Sequence, residues 1–335
     1  MSKAPRISII TPSFNQAEYL EECLRSVGEQ AGSDVEHIVV DGGSTDGSRQ
    51  IIKRCAGGLA WWCSESDRGQ SHAINKGLAR ATGDVVGWLN SDDLFLPGAL
   101  VRVAEAFAAD SALAVLSGVR LRREEGKPDI ALPMEAPADR LAWLSRPRIN
   151  QQATFFRMNA LRSIGGVEER LRYVMDYEAW LQLVLRLPES AIRIVPWDFA
   201  VFRHHAASKT ITSQAAFVDE MASVIHGLCA QAGLHEHARI MALGHRITSD
   251  LRKMPVGAEE QALIDRMAWR FMLKWHHRVY SRTDLHMMRA WLQLAPPVAF
   301  LEHMETERLQ SLRDHASPKN WLWFRARRKL EHLFR

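Results

Sequence analysis

Residues 85–93 read VVGWLNSDD, a short run of strand character that breaks into a turn of Asn90, Ser91, Asp92 and Asp93. The same pattern recurs three times upstream. RISIIT (6–11) ends in Thr11-Pro12-Ser13-Phe14-Asn15, and VEHIVV (35–40) ends in Asp41-Gly42-Gly43-Ser44-Thr45-Asp46-Gly47-Ser48. LAWWC (59–63) runs on into Glu65-Ser66-Asp67-Arg68-Gly69-Gln70. Apolar runs of this length bounded by Gly, Asn, Asp and Ser read as buried strands. Helical patterns over Ala17–Glu29, Ser48–Cys55 and Gln70–Ala81 lie between them, and a helix at Pro97–Ala108 and a strand at Ala112–Leu116 follow. Strands alternating with helices predict right-handed βαβ units, hence an α/β, Rossmann-like, mostly parallel sheet with flanking helices.

Farther along, residues 119–150 read as irregular, with a turn at Gly126-Lys127-Pro128. Ala153–Arg157 is strand-like, Asp176–Leu187 has the pattern of an amphipathic helix, and Ile192–Val195 and Phe199–Arg203 suggest two more strands. From Ser213 onward strand runs cease and Met, His, Leu and Arg recur at helical spacing. The expected division is an α/β domain over 1–212 and an α-helical C-terminal domain over 213–335.

A chain of 335 residues has room for both. With 47% apolar and 24% charged residues, wholesale disorder is excluded. No apolar run approaches the roughly 18–20 residues that cross a bilayer. The N-terminus enters the first strand without a signal-peptide pattern, so the expectation is a cytoplasmic protein. Cys23, Cys55, Cys63 and Cys229 show no CxxC spacing and read as reduced thiols. Net charge is +4, but residues 318–335 carry six basic side chains against Glu331, which leaves −1 over the other 317 residues. Only the tail is basic, and no nucleic-acid groove is predicted.

In an open α/β sheet, ligands bind outside the carboxyl ends of the strands, where the four polar turns fall. Taken singly, Asn15, Ser44, Asp46 and Asp92 or Asp93 read as helix caps, and Pro97 suits a first helical position. Four such turns on one edge, three of them with carboxylates, read better as a site. There is no GxxxxGK[ST] loop, and no GxGxxG follows the first strand, which disfavours a P-loop or a dinucleotide. A rim of Asp41, Asp67, Asp92 and Asp93 repels a bare diphosphate. Hard cations such as Mn²⁺ or Mg²⁺ take oxygens from one or two carboxylates plus substrate phosphate. The residues therefore predict a nucleotide diphosphate held through a metal, with Asp41 accepting hydrogen bonds from base or ribose.

The stretches IVVDGGSTDGS (38–48) and SESDRGQSHAINKGLARATGDVVGWLNSDD (64–93) resemble the family 2 glycosyltransferases of the GT-A fold. INQQATFFR (149–157), LRYVMDYEAWLQL (171–183) and FRHHAASKT (202–210) extend the likeness in the same order, over roughly residues 6–212. The resemblance implies a nucleotide-contacting turn at Thr11, Pro12 and Asn15, and a base-contacting acid at Asp41 with Gly42 and Ser44 beside it. It implies a loop of Asp67, Gly69 and Gln70 closing over nucleotide and sugar. Asn90, Ser91 and Asp92 stand at the DxD position, with Asp92 the matching metal ligand and Asn90 replacing an acid. Asp176 matches the catalytic base, the second acid of an ED pair whose first position here is Met175. Glu178 is the alternative base, and an N-cap role for Asp176 is compatible with catalysis. His205 matches the histidine of an RxHxxS segment that approaches metal or diphosphate.

The implied reaction is inverting, metal-dependent transfer of a sugar from a nucleotide-diphosphate sugar, with UDP the commonest donor nucleotide of the family and dTDP or GDP the alternatives, to a glycan or lipid-linked acceptor in bacterial polysaccharide synthesis. A catalytically inactive sugar-nucleotide scaffold and a nucleotidyltransferase are the rivals. Beyond residue 212, His235-Glu236-His237 lacks HExxH spacing and reads as structural. The tail at 318–335 interleaves Trp321, Trp323, Phe324, Leu330 and Phe334 with its basic residues. It reads either as a basic amphipathic helix for an anionic membrane surface or as internal packing.

Overall fold

Strand β1 (Ile7–Ser13) is buried along its whole length. It has parallel partners on both sides, β2 (Val35–Asp41) on one and β4 (Val85–Trp88) on the other, and β3 (Trp61–Ser64) lies beyond β2. A strand enclosed in this way reads as a continuous apolar run. Helices α1 (Ala17–Gly28), α2 (Ser48–Cys55) and α3 (Gln70–Arg80) make the crossovers. On one face Leu20, Leu24, Val39, Ile51 and Ile52 form a core cluster. Helix α3 packs so closely that a Cβ on Gly77 would stand 2.5 Å from Ile10 Cγ2. The structure is a computed structural model that describes residues 4–30, 32–134, 143–144, 149–205, 208, 213–275, 282–296 and 303–317. Two compact units are present, Met1–Arg140 with Pro147–Thr212 and Leu141–Arg146 with Ser213–Arg335.

The first unit continues with β5 (Leu94–Phe95), α4 (Ala99–Ala109), β6 (Val115–Arg123), β7 (Ile130–Leu132), β8 (Thr154–Arg157), α5 (Met158–Ser163), α6 (Met175–Arg186) and β9 (Ile192–Arg203). The sheet order is β3-β2-β1-β4-β8-β6-β9-β5, with β7 on β6. Strand β8 is antiparallel to both β4 and β6, while β9 is parallel to β6 and β5 antiparallel to β9. The sheet is therefore parallel in its first half and mixed in its second. Strands β1 to β4, β6 and β9 all point the same way, so their carboxyl ends share one edge. Chain order reverses between β1 and β4, where an open α/β sheet forms its crevice.

Four local expectations change. Residues expected to be irregular from 119 carry β6 out to Arg123 and pair it with β7. The two strands expected over 192–203 are one, bulged opposite Gly118, where a Cβ would meet Phe199 Cδ2 at 2.5 Å. Pro196 falls in that bulge, where a missing ladder donor is tolerated. Pro97 is not the first helical residue, because α4 starts at Ala99 after Gly98 in the left-handed region. Helix α6 is not amphipathic but buried on most of its circumference, including Glu178 and Gln182.

The second unit contains α7 (Gln214–Gln231), α8 (His235–Gly244), α9 (Gln261–Trp275), α10 (Arg282–Trp291) and α11 (His303–Ala316). Trp269 and Trp291 meet at 5.6 Å in its core, and His237 sits edge-on to Trp291. His237 also lies 3.0 Å from Asp265, and His245 lies 3.2 Å from Asp219. No helix among the described residues is long and apolar enough to cross a membrane. The basic tail at 318–335 lies outside the described residues.

Inside the sheet, His37 Nε2 is 2.9 Å from Thr11 Oγ1. Burial pushes the His37 pKa down to about 3. A histidine held below its unfolded value of about 6.5 contributes fully above that pH, and its contribution drains as pH falls toward the folded value. Denaturant titration at pH 7 and pH 5 should show the wild type losing about 1–2 kcal/mol more than His37→Asn on acidification; equal losses would refute it.

Candidate active site

The rim is built from the turns that leave β1, β2, β3, β4 and β9. After β2, Asp41 is fully buried and its carboxylate is saturated from within. Oδ2 accepts from Gly43 N (3.2 Å), Ser44 N (3.0 Å) and Ser64 Oγ (2.7 Å), and Oδ1 from Ser44 Oγ (2.5 Å). The chain turns here because Gly43 adopts φ +83°, which costs glycine nothing. Gly42 permits a close approach, since a Cβ on it would stand 2.9 Å from Asp67 Oδ2 and 3.2 Å from Phe14 Cδ2. Three of the predicted turns thus touch at one point. Asp67 Oδ1 accepts from Gly69 N at 2.7 Å, shaping the turn into α3.

The first two turns are stapled by the residues that also read as caps. Asn15, in the left-handed region at φ 51°, donates its backbone N–H to Ser44 Oγ (2.7 Å) and accepts from Thr45 N at Oδ1 (2.9 Å). Asp46 accepts from Ala17 N (2.8 Å) at the start of α1, and from Ser48 N and Oγ. Burial works against ionisation there, but these donors outweigh it and hold the Asp46 carboxyl below its ordinary range. Asp46 is a cap, delivered from another loop. Thr11 and Pro12 lie within β1 and are buried, the Thr11 hydroxyl facing His37.

At the end of β4 the side chains divide. Asn90 accepts from Gln70 Nε2 at 2.6 Å and donates to Gln151 Oε1 at 3.2 Å and Asp93 Oδ2 at 3.4 Å. Gln151 in turn donates to the Trp88 carbonyl at 2.6 Å. Ser91 is buried. Asp93 is also buried, and that burial, reinforced by the neighbouring Asp92 charge, pushes its carboxyl well above the ordinary range. Asp92 remains partly open, with its Oδ2 3.2 Å from His205 Nε2. Beyond β9, His205 N donates to Ser208 Oγ (3.1 Å) and Ser208 N to the His205 carbonyl (2.8 Å), which anchors the His205 backbone.

Asp176 is the second residue of α6, whose N-cap position is Val174, so its expected N-cap role is not what the helix shows. It is partly exposed and close enough to Arg120 on β6 for the two charges to interact. Glu178 is 1% exposed and accepts from Gln182 Nε2 at 2.8 Å. The segment before α6 is clamped by α3. Asn75 exchanges hydrogen bonds with Val167 N and O at 2.9 and 2.8 Å, and Ser71 donates to the Leu171 carbonyl. Sequence reasoning missed Ser71, Asn75, Arg120 and Gln151. The first two were visible as polar residues at i, i+4 on one helix face.

Among the described residues no group of three His, Cys, Asp or Glu converges as a ready-made metal cage. Asp92 and His205 instead offer one oxygen and one nitrogen donor side by side, in the half-open position that a cation completed by phosphate and water requires. Mn²⁺ or Mg²⁺ fits this pair.

A reversed α/β sheet with polar turns gathered along one edge is the arrangement of the GT-A fold. Solved structures agree on the fold. Staphylococcus aureus TarS 1–349 in complex with UDP-GlcNAc matches with TM-score 0.57 at 15% identity, covering 92% of this chain and 91% of that one. The mannosyltransferase PcManGT from Pyrobaculum calidifontis, with GDP-Man and Mn²⁺, gives 0.55 at 19% identity over 97% and 87%. An uncharacterised glycosyltransferase of Mycobacterium tuberculosis is 33% identical over 202 residues, 59% of this chain and 76% of that protein. Bacillus subtilis TuaG, named as a teichuronic acid biosynthesis glycosyltransferase, is 34% identical over 127 residues, 37% of this chain and 50% of its own. The family model described as Glycosyl transferase family 2 matches residues 8–166. The chain belongs to glycosyltransferase family 2.

Asn90 uses its amide oxygen and its amide nitrogen on neighbours, so an acid there would face buried Asp93 without the donors it replaces. Asn90→Asp should cost about 1–3 kcal/mol in thermal or chemical denaturation; unchanged or raised stability would show that this bracing is dispensable.

Proposed function

We propose that the enzyme is an inverting, divalent-metal-dependent transferase that moves a sugar from a nucleotide-diphosphate sugar to a glycan or lipid-linked acceptor in bacterial surface polysaccharide synthesis. The observation that carries the reading is the Asp92–His205 pair, 3.2 Å apart and partly open, which joins the turns that leave β4 and β9. UDP is the nucleotide we assign, with TarS crystallised with UDP-GlcNAc as the supporting parallel. TuaG, by its name, supports a polysaccharide acceptor.

In this reading the turn after β1 and the Asp41–Ser44 turn frame the nucleotide, and the Asp67–Gln70 loop borders nucleotide and sugar. Asp92 and His205 hold the cation, which when bound offsets the charge that builds on the leaving diphosphate. Asp176 accepts the proton of the acceptor hydroxyl as that oxygen attacks the anomeric carbon. Its carboxylate is partly exposed, whereas Glu178 is enclosed in the α6 packing, so we assign the base to Asp176. Arg120 places a positive charge within electrostatic reach of it. A single displacement needs only this one base, and the product sugar has inverted configuration. The acceptor we assign is lipid-linked, with the basic aromatic tail at 318–335 as the segment that meets an anionic membrane surface.

Two substitutions separate the roles. Asp92→Ala should weaken Mn²⁺-dependent UDP binding at least about tenfold by calorimetry, a loss of roughly 1.4 kcal/mol; unchanged binding would remove it from the metal site. Asp176→Asn should leave that binding intact and lower kcat about 10²–10⁴-fold; near-normal turnover would assign the base elsewhere. Nucleotide binding without turnover of any sugar donor would favour a scaffold role instead.

A further inference from the structure

The Asp92–His205 pair is only as well placed as the two turns that carry it, and one side chain reaches both. Arg203, the last residue of β9, is largely buried, with 12% of its side chain exposed. Its Nε donates to the Asp92 carbonyl, its Nη1 to Glu22 Oε2 at 2.5 Å, and its Nη2 to the Tyr19 carbonyl at 3.0 Å. Its own backbone N–H donates to Asp93 Oδ1 at 3.2 Å. The guanidinium carbon stands 4.9 Å from the centre of the Tyr19 ring. That same ring lies 4.5 Å from the His205 imidazole at a tilt of 31°. Tyr19 is thus in contact with the side chain that anchors Asp92 and with the histidine that faces Asp92.

We propose that Tyr19 and Arg203 are positioning residues for the metal pair: Arg203 fixes the backbone of Asp92 and the first turn of α1, and the Tyr19 ring sets the plane of the His205 imidazole. The inference rests on the proposed assignment of Asp92 and His205 as metal ligands. Neither positioning residue needs to touch donor or acceptor. The fork of an arginine matters, because Asp92, Glu22 and Tyr19 are reached in different directions by separate N–H groups, which a single ammonium does not reproduce. The ring matters because an imidazole with only one hydrogen-bonded nitrogen rotates about its side-chain bonds, and an aromatic face against it removes that freedom before a ligand arrives. Ser208 fixes the backbone of His205, leaving the ring to Tyr19.

The test uses the full chain and reads metal binding and folding, not turnover. Mn²⁺ is titrated into wild type, Tyr19→Phe, Tyr19→Leu, Arg203→Lys and Asp92→Ala, alone and with an equimolar mixture of UDP, GDP and dTDP. The free ion is followed by electron paramagnetic resonance, and each variant is melted without metal. Tyr19→Leu should bind Mn²⁺ about tenfold more weakly while its metal-free melting temperature stays within a few degrees of wild type. Tyr19→Phe, which keeps the ring, should restore wild-type binding. Arg203→Lys should show the same loss as Tyr19→Leu or a larger one; should it not fold, Tyr19→Leu decides. Wild-type affinity in folded Tyr19→Leu, with Asp92→Ala impaired, would overturn the positioning role and leave the metal pair standing. Wild-type affinity in Asp92→Ala itself would overturn the metal assignment and this inference with it.

Discussion

Six strands of one sheet run in the same direction, and every other feature of the site depends on that. Because β1 to β4, β6 and β9 end at a common edge, four short turns with little contact in sequence become neighbours in space. Strand β8 runs the opposite way, so it is the turn before its start, with Gln151 and Gln152, that reaches the same edge. The reversal of strand order between β1 and β4 opens the crevice that these turns surround. No single turn makes the candidate site; the shared edge assembles it.

Along that edge, protein donors sort acids that look alike in sequence. Buried Asp41 is engaged by serine hydroxyls and amides, buried Asp93 by Asn90 and the Arg203 amide, and the exposed Asp46 by the start of α1. A buried carboxylate must be satisfied in this way or lose its charge. Asp92 and Asp176 keep part of their surface open, and these are the two to which chemistry is assigned. Asn90 belongs with the bracing group, which gives a physical reason for an amide at the position where the resemblance implies an acid: it donates to Gln151 and Asp93 at once.

Much of this was legible in the sequence because the information is local. The runs at 6–11, 35–40, 59–63 and 85–89 are strands in the structure to within a few residues, and the turns after them sit together. What was not legible depends on distant partners. The extension of β6 to Arg123 is created by pairing with β7 and β9, and with it comes Arg120, which the local pattern of 119–150 did not mark. The bulge that joins 192–203 into one strand answers to Gly118, some 75 residues away. Helix α6 shows an amphipathic pattern, yet Glu178 and Gln182 satisfy each other inside the packing, so its polar residues do not face water. Thr11, placed at the nucleotide turn by resemblance, spends its hydroxyl on His37 within the sheet.

The central claim is that Asp92 and His205 together complete their coordination with a cation and a nucleotide diphosphate. Crystals grown with Mn²⁺ and UDP and measured at the manganese absorption edge test it most directly. An anomalous peak at about 2.0–2.3 Å from both an Asp92 oxygen and a His205 nitrogen, bridged to diphosphate oxygens, is the predicted result. Nucleotide bound elsewhere, or manganese that touches neither residue, would contradict it.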